Sequence, residues 1–114
     1  MPRFAILAHD HPVPHWDLFL EDCAVLRSWR LFGVLMPGVA VPAEATPEHR
    51  LLYLDYEGFV SEGRGQVTRV DAGTFDWETQ SPEIMPMRIF GQRFQGRLTL
   101  VKHSVGWSCQ FDPI

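Results

Sequence analysis

No apolar run in this sequence keeps a helical period for more than two turns. Short apolar or alternating runs recur instead between glycines and prolines, and that punctuation restricts the chain to an all-β architecture. The clearest run is H-W-D-L-F-L-E, residues 15–21. Successive strand side chains point to opposite faces, so His15, Asp17 and Phe19 share one face, and Trp16, Leu18 and Leu20 take the other, toward a core. Residues 3–9 (R-F-A-I-L-A-H) read as a strand apolar on both faces, ending on His9 at a sheet edge or barrel mouth. Residues 24–30 read as the hairpin partner of the 15–21 strand. Further strands are expected at 49–56, 66–70, 74–78, 87–90, 96–102 and 106–111. Residues 37–48 read as a loop with room for a short helix, Ala72-Gly73 as a tight turn, and 103–106 as a hairpin link. Glycines 58, 63, 65, 73, 91 and 96 stand where a small closed sheet needs bends. The expectation is one domain over residues 1–114, a small closed or nearly closed β-barrel with little helix.

The same alternation assembles a chemical site. His15 and Asp17, two apart on one strand face, can converge on a cation, and His9 can join them across the turn that Pro12 and Pro14 punctuate. Two imidazoles and a carboxylate suit Mn, Zn or Fe(II) better than Mg or Ca. The bland reading of these residues is a polar turn with a satisfied His–Asp pair. His11 belongs to the loop and reads more simply as exposed. His49, Leu51, Tyr53 and Asp55 would share one face of the 49–56 strand.

Charge and cysteine content bound the partners. The net charge of −4 counts mildly against nucleic acid, although nine of the ten basic residues are arginine, whose planar fork suits phosphate or carboxylate. Cys23 and Cys109 fit no zinc or redox spacing and read as reduced, packed thiols. No stretch reads as a secretion signal or a membrane span, so the expectation is a soluble, cytoplasmic protein without a membrane partner.

Several blocks together carry a family resemblance. F-A-I-L-A-H, H-W-D-L-F-L-E and V-L-R-S-W resemble the pattern F-V-x-Q-x-H, H-Y-D-x-R-L-E and V-L-K-S-W of the 3′-phosphoesterase domain of bacterial DNA ligase D. H-R-L-L-Y-L-D-Y-E-G is similar to that family's H-P-L-x-Y-x-x-F-E-G. S-E-G-R-G-Q-V with D-A-G-T-F looks like a shortened form of its next block, and G-R-L-T-L-V-K like its closing strand. The resemblance implies an all-β barrel with a crescent-shaped groove. It also implies Mn²⁺-dependent removal of a 3′-phosphate or 3′-ribonucleotide from DNA ends before ligation. Carried over residue by residue, it makes His9, His15 and Asp17 the metal ligands and sets His49 and Tyr53 near the scissile phosphate. Zn²⁺ or another divalent transition metal is the alternative cofactor, and a repair ligase or polymerase an expected partner.

The departures from that pattern matter as much. Phe19 stands where the family has an arginine two residues past the aspartate, and Leu7 stands where it has a glutamine. Losing an arginine–phosphate contact costs about 1.5–3 kcal/mol unless another cation replaces it. Arg27 and Arg30, on the hairpin partner strand, are the candidates for replacement. Two functions of different class follow: a 3′-end-processing phosphoesterase, weakened by Phe19 and improved by Phe19→Arg, or a metal-binding module that has lost catalysis and serves a repair ligase.

Overall fold

The computed structural model describes residues 1–114, and its regular structure is almost all strand. The strands are β1 (Arg3–His9), β2 (His15–Asp22), β3 (Val25–Leu31), β4 (Ala40–Arg50), β5 (Gly58–Phe59), β6 (Gln66–Trp77), β7 (Ile84–Gly91), β8 (Gln95–Lys102) and β9 (Trp107–Pro113). The only helical element is a 3₁₀ turn, Leu51–Leu54. All neighbouring strands pair antiparallel, in the order β1-β2-β3-β4-β9-β8-β7-β6-β5, and β1 also pairs with β6. That last pairing closes eight strands into a ring, with β5 added outside it on β6, as the expected closed sheet requires. No helix is long and apolar enough to cross a membrane.

The alternation places two apolar layers on opposite sides of the same strands. Phe4, Ile6, Leu18, Leu20, Trp29 and Leu31 point into the ring, where they join a cluster of 17 buried residues. Ala5, Leu7, Phe19, Leu26, Leu54 and Val67 form a second, external cluster of 6 buried residues. Leu51, Tyr53, Tyr56 and Val60 cover that outer layer. The 3₁₀ turn and the loop after it therefore serve as a lid over β1, β2 and β6.

Three assignments made from the sequence change. Residues 37–48 are not a loop: β4 begins at Ala40 and bridges β3 to β9, with Ala43 paired to both Leu31 and Trp107. Its two prolines hid it. Pro47 falls where the β3–β4 register slips between Leu26 and Ser28, so a ladder N–H is not needed there. Residues 49–56 are not a strand. The last β3–β4 pair is Val25 with Arg50, so the chain has no partner beyond it and coils into the 3₁₀ turn that buries Leu54. Residues 66–70 and 74–78 are not two strands joined by a turn at Ala72-Gly73; Gln66–Trp77 is one long strand with a register shift opposite Ile6 and Leu7. Gly73 is required there by close approach, since a Cβ would lie 2.1 Å from the Phe90 carbonyl oxygen.

Asp71 fixes that bend. Buried on β6, it accepts backbone N–H bonds from Ala72, Gln92, Arg93 and Phe94 at 2.8–3.2 Å, satisfying the β7–β8 turn. The 103–106 link is a hairpin turn as expected, closed by the His103 N–H on the Gly106 carbonyl at 2.9 Å. Both cysteines are free; Cys109 is buried in the inner cluster, whereas Cys23 is exposed in the β2–β3 turn rather than packed.

Candidate metal centre and groove

His9 ends β1, His15 begins β2, and the two are direct antiparallel partners. Asp17 lies two residues along β2, opposite Leu7. Leu7 belongs to the outer layer, so all three polar side chains stand on the outer face of the ring wall rather than at a barrel mouth. Their candidate ligand atoms lie within 4.8 Å of one another.

The hydrogen bonds around the two imidazoles select which nitrogen faces inward. His15 Nδ1 lies 2.8 Å from the Val13 carbonyl and His9 Nε2 lies 2.8 Å from the Arg64 carbonyl. A carbonyl only accepts, so each of these nitrogens carries the proton. The remaining atoms, His15 Nε2 and His9 Nδ1, stand 3.3 and 3.5 Å from the two Asp17 oxygens. The His15 Nε2 is buried and has no hydrogen-bond partner. Two lone pairs and a carboxylate thus converge with no donor among them. A cation at the centre satisfies that arrangement, as would added protons on the rings. Outer nitrogens donating to backbone carbonyls are the usual way to orient ligating histidines. The mixed N/O set fits a divalent transition metal.

Beside this cluster runs a groove of about 490 Å³. Asp17, Phe19, Arg30, His49, Tyr53 and His11 all line it, along with Glu44, Thr46, Glu48 and Arg64. His49 and Tyr53 reach it, although not from one strand face: His49 comes from the end of β4 and Tyr53 from the 3₁₀ turn, and their rings meet edge to face at 5.7 Å. His49 Nδ1 is buried and unpartnered. Phe19 shares the face of Asp17 as the alternation requires, but it is only 3% exposed and packs under His49, ring centroids 5.0 Å apart. It is a buried wall of the groove. Of the two candidate arginines, Arg30 lines the groove; Arg27 lies over the Trp29 ring, 5.1 Å from its centroid, away from the groove. Sequence reasoning missed Glu44, Thr46 and Glu48 because β4 read as a loop. It also missed the structural role of Arg64, whose contribution to His9 is a backbone carbonyl and leaves no side-chain signature.

Fold and site together define an antiparallel β-ring domain with a two-histidine, one-aspartate cluster beside an external groove. Comparison with known proteins gives the particular family. Residues 7–102 match the DNA Ligase D 3'-phosphoesterase domain, and the chain belongs to that family. It is 32% identical over 109 residues to the multifunctional non-homologous end joining protein LigD of Mycobacterium bovis, an alignment covering 87% of this chain and 14% of the relative. The multifunctional non-homologous end joining DNA repair protein LigD of Mycobacterium tuberculosis matches equally, at 32% over the same 87% and 14%. The chain therefore spans only about one seventh of the length of these relatives.

Proposed function

We propose that this groove is the active site of a Mn²⁺-dependent phosphoesterase that trims DNA 3′ ends, removing a terminal phosphate or ribonucleotide during repair. The observation that carries the reading is the donor-free convergence of His9 Nδ1, His15 Nε2 and Asp17 beside a groove with two further polar side chains, His49 and Tyr53. His9, His15 and Asp17 would hold the metal, with Zn²⁺ the alternative. A metal held there would supply Lewis-acid polarisation of a phosphate oxygen and positive charge against the charge that develops.

The chain's own residues do the rest. The Val13 and Arg64 carbonyls hold both imidazoles in the ligating tautomer. His49, with Nδ1 free, orients the phosphate or gives a proton to the leaving oxygen, and the Tyr53 hydroxyl donates a hydrogen bond to it. The covered outer layer, with Phe19 and Leu7, limits water at one side of the groove. In this reading the partners are DNA or RNA-tipped DNA 3′ ends and a repair ligase or polymerase, in the cytoplasm.

One observation favours a second reading. An apolar ring at position 19 gives no donor to phosphate, which suits a module that keeps the metal without catalysis and serves a ligase. Release of phosphate and ribonucleotide from 3′-blocked primer–templates, with and without Mn²⁺, separates the two. Mn²⁺-dependent release that His15→Ala abolishes supports the enzyme. Metal binding by calorimetry without release supports the module, and equal metal binding by wild type and a His9→Ala/His15→Ala double variant overturns both.

A further inference from the structure

The nine arginines of this chain differ sharply in how they are used. Arg3, Arg69 and Arg97 pair with carboxylates, Arg64 bonds Ser61, and Arg27 and Arg93 lie over aromatic rings. Arg50 and Arg88 are exposed. Arg30 alone combines partial burial, a place in the groove and an Nε that is buried with no hydrogen-bond partner. Its antiparallel partners are Asp17 on β2 and Glu44 on β4, so its side chain stands on the face of the metal cluster. Neither carboxylate forms an ion pair with it. A guanidinium N–H withdrawn from water without an acceptor is costly, and such groups in native proteins call for a ligand or another explanation.

We propose that Arg30 is the phosphate-binding residue of the groove, seating a phosphoryl group between its guanidinium and the His9–His15–Asp17 cluster. The proposal rests on the phosphoesterase reading and deepens it. Arg30 presents a planar fork, the geometry that matches two oxygens of one phosphoryl group. Its register opposite Asp17 sets that fork one strand away from the candidate metal, so that one phosphoryl group can meet both. Phe19, next along β2, is then a wall that directs the phosphate toward β3. His49, with its own unpartnered Nδ1, faces the same space.

The test uses the full chain saturated with Mn²⁺, with inorganic phosphate as the probe followed by calorimetry. Arg30→Gln should weaken phosphate binding roughly tenfold to a hundredfold, the usual worth of a charge-assisted contact. Arg30→Lys, which keeps the charge without the fork, should fall between, and Arg88→Gln should match wild type. Mn²⁺ affinity and melting temperature should stay near wild type in Arg30→Lys, which separates lost binding from lost structure. Unchanged phosphate affinity in Arg30→Gln, or no saturable phosphate binding by wild type, would overturn the assignment. The DNA assay separates the two levels. Arg30-dependent phosphate binding without any Mn²⁺-dependent end processing removes the enzyme reading and leaves Arg30 in place. End processing at an unaltered rate in both Arg30 variants removes Arg30 and leaves the enzyme.

Discussion

β1 and β2 carry two different environments on their two faces. Inward, Phe4, Ile6, Leu18 and Leu20 enter a cluster of 17 buried residues closed on all sides by the ring. Outward, Ala5, Leu7 and Phe19 enter a cluster of 6, covered only by a 3₁₀ turn and a loop, and the polar residues His9, His15 and Asp17 follow at its edge. The comparison shows how a small closed ring of strands can carry a candidate site outside its filled centre. The interior is filled by side chains and serves stability; the site is built on the outside, where a thin second layer supplies partial burial and leaves an opening.

The largest test of that division is a pair of truncations. Phe75, fully buried in the inner cluster, should cost about 3–5 kcal/mol when changed to alanine. Phe19→Ala removes the same ring from the outer layer and should cost less, about 2 kcal/mol, because the space joins a groove that solvent can fill. Denaturant unfolding of both variants checks this, with Mn²⁺ affinity expected to survive in Phe19→Ala. Equal losses would mean that the outer layer is as tightly bound into the fold as the inner one. Placing arginine at 19 should be worse for stability than placing alanine there, since the guanidinium would start among Leu7, Leu26 and Val67.

The smallest expected effect concerns how the outer lid is tied down. Arg3 at the start of β1 bonds Asp55, just past the 3₁₀ turn, at 2.7 Å. That hydrogen bond, and then the Arg3 charge, hold the Asp55 carboxyl below its ordinary value. A depressed carboxylate stabilises the fold above its unfolded value, near pH 4, and that contribution is lost as pH falls through the lower folded value. Asp55→Asn should therefore lower the melting temperature slightly at neutral pH, and the gap should close in acid. A gap that widens in acid would contradict the sign, and exposure of the pair keeps the effect small.

The two layers were not equally legible from the sequence. The inner one follows from short apolar and alternating runs, so β1, β2, β3, β8 and β9 fall within a residue or two of where the pattern sets them. The pattern also puts His15, Asp17 and Phe19 on one face. The outer layer is made by segments whose local pattern misleads. H-R-L-L-Y-L-D-Y alternates like a strand, yet Leu51–Leu54 coils because no neighbour remains to pair with. A-V-P-A-E-A-T-P-E reads as loop, yet β3 and β9 on either side make it a strand. The groove's third wall, with Glu44, Thr46 and Glu48, was invisible for that reason. The burial of Phe19 was hidden too, since alternation gives a face but not what covers it.

The closing pair of the ring, β1 with β6, joins Phe4 to Gly73 and His9 to Val67 across more than half of the sequence. The three candidate ligands, by contrast, all fall within one hairpin, residues 9–17. As the chain leaves the ribosome, the ligands can meet early, whereas Arg64, whose carbonyl orients His9, arrives only with the last-made half and after a costly long-range loop closure. Raw ligand proximity and a correctly turned imidazole are thus separate events in the birth of this protein. The site can be complete once β6 has joined β1, while the ring still awaits β9, whose pairings with β4 and β8 use the last-made strand.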